Sequence, residues 1–206
     1  MYTNYFASVN IRSAIILATF FYCNTLLAST TIVSYDFEDV AGSFENAPET
    51  SLPEVDPLPW FDVLGTLTNF TGNPGRALAA RSFLDSNSIL LVVNLLPGFS
   101  AHLDGYSFDH LASSSGPVNW DLKINDIPVA SGLTSTSFSG ASGELFLDDI
   151  TGSFTVALSG SAATSNSGTY RLDNFVLSGT VTPVPLAPGI VLFGSALAFM
   201  STRLRR

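Results

Sequence analysis

The chain has 206 residues, a net charge of −9 and a single cysteine. All 17 acidic residues lie between Asp36 and Asp173, whereas only four of the eight basic residues lie in that interval. Nucleic-acid binding requires clustered Lys and Arg to neutralise phosphates, so this charge distribution excludes that class of protein. It is consistent with a solvated acidic surface or with a site for a divalent cation.

The amino-terminal residues have the layout of a secretory signal peptide. Arg12 precedes an apolar run at residues 14–22, and small residues follow around Ala28. The alternative is a lipoprotein anchored at Cys23, but that cysteine needs a small residue before it and follows the bulky Tyr22. We therefore predict a signal peptide at residues 1–29. Its removal leaves no cysteine, so the exported part must depend on its hydrophobic core for stability.

The first half of the exported part reads as strands and loops. Residues 31–39 alternate between apolar and polar side chains, which is typical of a half-buried strand. Residues 41–59 contain four prolines and predict a loop. Residues 88–96 are nearly all apolar and stop at Pro97-Gly98, which indicates a buried central strand.

The second half continues in the same style. Residues 118–125 alternate cleanly, and residues 170–181 read as a closing strand. Short strands with turns about every 8–12 residues predict one all-β domain at residues 30–182, an antiparallel two-sheet β-sandwich. Among sandwiches a jelly roll is favoured, because the first and last segments both read as strands that can pair with each other.

The last segment, residues 183–206, has three parts. A proline motif containing Val184, Pro185 and Pro188 leads into an apolar run at residues 189–201. As a helix this run would rise about 20 Å, short of the roughly 30 Å of bilayer hydrocarbon. It has no polar face, so the alternative of an amphipathic surface helix is disfavoured. We predict a marginal transmembrane helix whose flanking arginines stay on the cytoplasmic side, namely Arg203, Arg205 and Arg206.

This tail resembles the PEP-CTERM / VPxPA-CTERM sorting signal of bacteria that make extracellular polysaccharide. The resemblance rests on the proline motif at residues 184–188, on the step Phe193-Gly194-Ser195 and on the arginine cluster. The commoner motif has Pro then Ala where this chain has Ala187-Pro188. The resemblance implies export through the secretion translocon, transient anchoring in the inner membrane and processing by an exosortase-type membrane enzyme. The final location would then be the cell surface or the extracellular space.

The middle of the chain carries a second resemblance. Residues 106–109, residues 115–117 before Trp120, and residues 168–175 look like the ectodomain common in PEP-CTERM proteins. That ectodomain resembles concanavalin-like and carbohydrate-binding-module jelly rolls, and the match covers roughly residues 89–181. It implies a structural or adhesive matrix protein associated with exopolysaccharide. The alternative is a calcium-dependent carbohydrate-binding module.

A calcium site is implied by the same resemblance, in which acids of the first strand share a cation with an Asp-Asn pair near the last strand. Here Asp36 and Glu38 alternate on the first strand, and Asp173 and Asn174 lie in the last. Calcium prefers six to eight oxygen ligands, of which this set supplies a part. The alternative is a bulge or turn in which Asp173 and Asn174 bond to backbone groups. A second acidic pair at residues 148–149 predicts a solvated turn.

Four aromatic residues are candidates for stacking on sugar rings: Trp60, Trp120, Tyr106 and Tyr170. Trp120 shares an apolar face with Val118 and Leu122, which predicts a core position. Trp60 follows Pro59 beside the acidic loop, so we expect it to be the exposed, ligand-facing aromatic residue.

Evidence for catalysis is weak, and no catalytic residue is predicted. The exported part has no Gly-x-Ser-x-Gly motif and a single Glu, Glu144, after the proline-rich loop. A glycan hydrolase, which needs two paired carboxylates, is therefore the less favoured alternative. Beside Asp109, His110 could act as a base or metal ligand, but a surface position at a strand end is expected.

Overall fold

The computed structural model describes residues 29–38 and 46–185. Within these ranges no helix is long and apolar enough to cross a membrane. The described part holds one 3-10 helix, Phe83–Asp85, and the following strands: β1 Thr30–Tyr35, β2 Thr50–Ser51, β3 Val55–Pro57, β4 Phe61–Asp62, β5 Thr68–Thr71, β6 Arg76–Ala80, β7 Ser88–Leu95, β8 Phe99–Ala112, β9 Asn119–Ile124, β10 Ile127–Leu133, β11 Ser139–Thr151, β12 Ser153–Ser161 and β13 Tyr170–Pro183.

The predicted signal peptide and most of the predicted sorting signal lie outside the described residues. Of the sorting-signal positions, the structure describes Val184 and Pro185, and the others lie beyond it: Pro188, Gly194, Arg203, Arg205 and Arg206.

The strands form two antiparallel sheets, which confirms the predicted all-β sandwich. The seven-stranded sheet has the order β11-β8-β13-β1-β2, with β6 added beside β13 and β5 beside β6. The six-stranded sheet has the order β10-β9-β12-β7-β3, with β4 also paired to β7. The first and last strands, β1 and β13, pair antiparallel as the sequence predicted.

Alternating side chains of both sheets fill the space between them. In β7, Ile89, Leu91 and Val93 are fully buried while the residues between them are half-buried. β12 faces the same core with Phe154 and Val156. Burying one such side chain contributes about 1.5–3 kcal/mol, so this period of two defines the fold. β7 is paired on both sides and buried on one face, which confirms the buried central strand that the sequence predicted.

Trp60 lies inside this core, with 2 % of its surface exposed. Its indole meets the ring of Phe175 edge to face at 4.9 Å between centroids, and the ring of Tyr35 at 5.8 Å. The side chain of Asn46 fixes its backbone by accepting from the N–H and donating to the carbonyl. The expectation of an exposed, ligand-facing Trp60 is therefore wrong.

The other aromatic candidates are also core residues. Trp120 packs edge to face on Phe108 at 5.2 Å between centroids, which confirms its predicted core position. Tyr170 is fully buried and Tyr106 nearly so. Large aromatic side chains lie in the core because the burial of each one removes a large apolar area from water.

The last strand changes neighbour on one edge, and this change positions the candidate site. On one side β13 pairs with β8 over its full length. On the other side residues 175–179 pair with β1 and residues 170–172 pair with β6. Asp173 and Asn174 lie in the gap between these partners, where the register with β8 shifts and Asn174 has φ 48°.

Candidate functional site

An open groove of about 670 Å³ runs across the outer face of the seven-stranded sheet, over β11, β8 and β13. Its floor contains two glycines, Gly105 and Gly143. Side-chain hydroxyls and carboxylates border the floor together with one phenylalanine: Ser107, Ser142, Ser178, Asp104, Glu144 and Phe146. We call this surface the sheet groove.

The glycines of the sheet groove are required by close packing. A Cβ atom on Gly105 would lie 2.8 Å from the hydroxyl oxygen of Ser178. A Cβ atom on Gly143 would lie 2.9 Å from the ring of Tyr106, its cross-strand partner. The missing side chain of Gly105 leaves the outer surface of β8 low between its polar borders, whereas that of Gly143 makes room for the buried ring of Tyr106.

Phe146 is the most exposed large apolar side chain in the described residues, at 80 %. It lies on β11 and borders the sheet groove together with Glu144. An exposed aromatic ring beside carboxylates and hydroxyls offers one apolar surface and several hydrogen-bonding groups. This combination suits a sugar, which has apolar ring faces and a polar rim.

The sheet groove continues into a second hollow of about 360 Å³. The two hollows share Ser107 and Ser142, and the second reaches Asp109, Gly140 and Asn174. The groove therefore ends at the bulge of β13 described above.

A buried carboxylate lies at this end. Asp173 is 0 % exposed, and its Oδ2 accepts the backbone N–H of Asn73 at 2.6 Å while its Oδ1 accepts that of Asn174 at 2.9 Å. The Asn174 amide donates to the Asn73 carbonyl oxygen and to Oδ2 of Asp109, both at 2.9 Å. We call Asp173, Asn174, Asp109, Glu38 and the Asn73 turn the carboxylate cluster.

Glycines also bring the turn at Asn73 close to the acids. A Cβ atom on Gly72 would lie 2.6 Å from Oδ2 of Asp173, and one on Gly75 would overlap the carboxylate of Glu38. Gly75 also has φ +58°, a left-handed conformation that favours glycine. These two positions allow the β5–β6 turn to cover Asp173.

Burial is the main reason that the pKa of Asp173 rises from 3.8 to about 6. The two backbone N–H groups oppose the rise, and the negative charges of Glu38 and Asp109 add to it. A buried carboxylate surrounded by like charge is destabilised when it ionises. A bound cation would relieve that cost.

The structure brings together part of the predicted cation site. Glu38, Asp173 and Asn174 meet, whereas Asp36 accepts the backbone N–H of Glu38 in its own loop. Asp109 and the Asn73 carbonyl belong to the cluster but were not predicted from the sequence. Among residues 29–38 and 46–185, no three acid, histidine or cysteine side chains form a ready metal-binding group.

The alternative interpretation of Asp173 and Asn174 is confirmed in its geometry. Both residues lie in a bulge, and their side chains bond to backbone groups. Carboxylate and amide oxygens accept more than one partner, so these bonds leave acceptor sites for a cation.

Two other expectations about polar residues need correction. Asp148 and Asp149 are exposed as predicted, but they lie within β11 at a shift of register rather than in a turn. Asp148 there contacts Nδ1 of His102. His110 is 2 % exposed and packs against Trp120, so it is not the surface histidine that its strand-end position suggested. Burial lowers its pKa, although Asp109 partly opposes this effect.

No protein-family model and no curated protein matches the sequence. Several solved structures resemble the fold. The CBM22-1 xylan-binding domain of Xyn10C from Paenibacillus barcinonensis is 14 % identical with a TM-score of 0.46, over 78 % of this chain and 98 % of that one. TmCBM61, solved in complex with β-1,4-galactotriose, is 15 % identical with a TM-score of 0.42, over 58 % and 87 %. A carbohydrate-binding module of family 29 is 12 % identical with a TM-score of 0.40, over 74 % and 90 %.

Proposed function

We propose that the described domain is a jelly-roll-like module that binds polysaccharide along the sheet groove. The observation that carries this proposal is the groove itself, which places the exposed ring of Phe146 beside the carboxylates of Asp104 and Glu144 and several serine hydroxyls. The carboxylates accept hydrogen bonds from sugar hydroxyls, the serines both donate and accept, and the ring packs on a sugar face. Because the groove lies open on a sheet face, it suits a segment of a long chain.

The module would act outside the cell, without catalysis. The tail motif supports a chain that crosses the secretion translocon, is held transiently in the inner membrane and is processed by an exosortase-type enzyme. Exopolysaccharide of the producing cell is then the ligand that the domain meets at the surface or in the matrix. Glu144 and Asp104 both line the groove, and paired carboxylates are also what a glycan hydrolase needs. We propose that these two carboxylates bind sugar hydroxyls and assign the groove no hydrolytic role.

Replacing the exposed ring tests the groove directly. Phe146→Ala should lower the affinity for the producer's own polysaccharide about fivefold or more, since stacking contributes about 1 kcal/mol or more. Its melting temperature should stay unchanged, because the ring is 80 % exposed. Isothermal titration calorimetry and thermal denaturation measure the two effects. The matched control is Leu133→Ala, an equally prominent apolar residue at 73 % exposure on β10 of the other sheet. Equal affinity of F146A and wild type would refute the groove.

We also propose that the carboxylate cluster binds calcium and thereby stabilises the domain. Its donors would be hard oxygen atoms of Asp173, Glu38 and Asp109, with the carbonyl of Asn73 and the amide oxygen of Asn174 beside them. Because the three carboxylates form no ready metal-binding group in the described structure, they would have to turn toward the ion. The buried, mutually repelling carboxylates fit a divalent cation, which would supply the missing positive charge. The role is structural support of the end of the groove.

Added Ca²⁺ should raise the melting temperature of the chelator-treated protein, because a ligand that binds the native state preferentially stabilises it. Glu38→Gln should reduce the gain, and Asp173→Asn should abolish it. Asp56→Asn changes an exposed acid of β3 in the other sheet and should leave the gain intact. Differential scanning calorimetry with and without millimolar CaCl₂ measures these shifts. An unchanged melting temperature for the wild type would dismiss the calcium site and leave the groove proposal standing.

A further inference from the structure

Basic side chains of the described domain are concentrated in one place. Its four basic residues are Arg76, Arg81, Lys123 and Arg171. Arg76 is the first residue of β6 and Arg81 directly follows that strand. Arg171 lies beside β6 at the start of β13. Lys123 alone is on the other sheet, in β9. Three of the four basic residues in the described part of the chain therefore lie along β6 and the adjacent start of β13.

Two of these arginines flank a single aromatic ring. The guanidinium carbon of Arg171 lies 4.7 Å from the ring centroid of Phe70, and that of Arg81 lies 5.7 Å from it. Both distances are within cation–π range. Nη1 of Arg171 donates to the Thr71 carbonyl at 3.1 Å. Neither Arg81 nor Arg171 forms an ion pair with a carboxylate among the described residues.

A cleft of about 480 Å³ opens beside Arg81. Besides Arg81, its lining side chains are hydroxyls and one amide: Thr66, Thr68, Ser82, Asn166 and Ser167. The two neighbouring carboxylates are already engaged, since Asp62 accepts from Thr66 and Asn87, and Asp85 accepts from Asn166. Arg81 is the one charged residue that lines the cleft among the described residues, and the hydrogen-bonded carboxylates of Asp62 and Asp85 lie behind its lining.

We infer that this cleft is a second saccharide subsite, specific for a sugar that carries an anionic group. The forked guanidinium of Arg81 pairs with a planar carboxylate or a sulfate ester, and the hydroxyls of Thr68 and Ser82 bond the sugar's own hydroxyl groups. Arg171 packs on the same Phe70 ring as Arg81, which brings a second positive charge near that of Arg81. The ligand is a uronate-bearing or sulfated polysaccharide. This subsite goes beyond the sheet groove and does not depend on it.

Binding of acidic polymers to the full chain tests the subsite, in buffer with EDTA to exclude bridging by divalent cations. The probes are alginate for carboxylate, dextran sulfate for sulfate and unmodified dextran as the neutral polymer. Arg81→Ala should weaken binding to at least one acidic probe about fivefold or more, as expected for loss of one partly solvated charged contact. Lys123→Ala removes the same charge from the other sheet and should bind like the wild type. Arg81→Lys should recover only part of the affinity, because it keeps the charge but not the fork.

The acidic probe that depends on Arg81 identifies the anionic group. Failure of the wild type to bind either acidic polymer, or equal losses in R81A and K123A, would overturn the subsite. Phe146→Ala should leave alginate and dextran sulfate binding unchanged. If R81A loses acidic polymers while F146A changes nothing for any glycan, this subsite stands and the groove proposal fails.

Discussion

In the presence of a chelator, the free energy of unfolding of Asp173→Asn relative to that of the wild type should be higher at pH 7.5 than at pH 4. The folded-state pKa of Asp173 is about 6 and the reference value is 3.8. Between these two pKa values the native state binds a proton that the unfolded chain does not, so the free energy of unfolding falls as the pH rises. The full difference corresponds to at most about 3 kcal/mol, complete above pH 6 and absent below pH 3.8.

The comparison with a variant is essential because other acids have the opposite sign. Burial alone would raise the pKa of Asp62, but hydrogen bonds from Asn87, Thr66 and Leu67 outweigh it and the pKa falls. Asp62 therefore stabilises the fold above its unfolded-state pKa and loses that contribution as the pH falls. Subtracting the stability of D173N from that of the wild type at each pH removes this shared background.

Asn also changes the hydrogen bonds, which shifts the variant's stability by an amount independent of pH. Its amide has one acceptor oxygen, whereas the Asp173 carboxylate accepts the N–H groups of both Asn73 and Asn174. The informative quantity is therefore the slope of the stability difference with pH, measured by urea denaturation. A flat difference between pH 4 and pH 7.5 would show that Asp173 has an ordinary pKa. With saturating Ca²⁺ the wild type's slope should also vanish, because the cation replaces the proton.

The fold could be predicted because its information is local. In segments such as residues 118–125, the alternation of apolar and polar side chains indicates which face of the strand is buried. A strand with one such apolar face is stabilised by pairing within a sheet that covers that face. The pairing of the first and last strands followed from their strand character. The short strands β2 and β3 were missed because each is two or three residues long, lies within the proline-rich loop and carries no period.

The carboxylate cluster was predicted only in part, from the resemblance to jelly rolls in which the first and last strands share a cation. That resemblance named Glu38, Asp173 and Asn174, which lie close together, and Asp36, which bonds within its own loop. Asp109 joins them because it is the cross-strand partner of Asp173 in the β8–β13 register, and Asn73 joins because a turn folds over the gap. Register and turn placement depend on contacts about 65 and 100 residues apart along the chain, which no local pattern encodes.

The sequence of β11 indicates the sheet groove only weakly. Gly140 and Gly143 occur with serines in a segment where few apolar residues alternate, and such a strand specifies its faces weakly. β11 also shifts register twice against β8, between Glu144 and Leu147 and again before Ile150. These shifts redirect side chains locally, so the exposure of Phe146 had to be read from the structure.

Trp60→Ala should destabilise the domain by about 3–5 kcal/mol, which is the range for removing a large aromatic side chain from a core. The indole fills the space between Phe175, Tyr35 and Phe37, with ring centroids 4.9, 5.8 and 6.5 Å away. The position near prolines and acids suggested exposure, but the Asn46 side chain closes the loop over it. The residues next to Trp60 in the sequence do not indicate that Tyr35 of β1 and Phe175 of β13 pack against it.

Trp60→Phe is the matched variant, because it keeps a ring in the cluster and removes the indole Nε1, a buried donor without a partner in the described structure. We expect it to cost less than about 1.5 kcal/mol, since the smaller ring loses volume but leaves no unsatisfied donor. Chemical denaturation gives both values, and glycan affinity measured on the folded fraction of each variant should equal that of the wild type. If W60A instead melts like the wild type and loses affinity, the indole contacts ligand, and the packing of Trp60 between the two sheets is refuted.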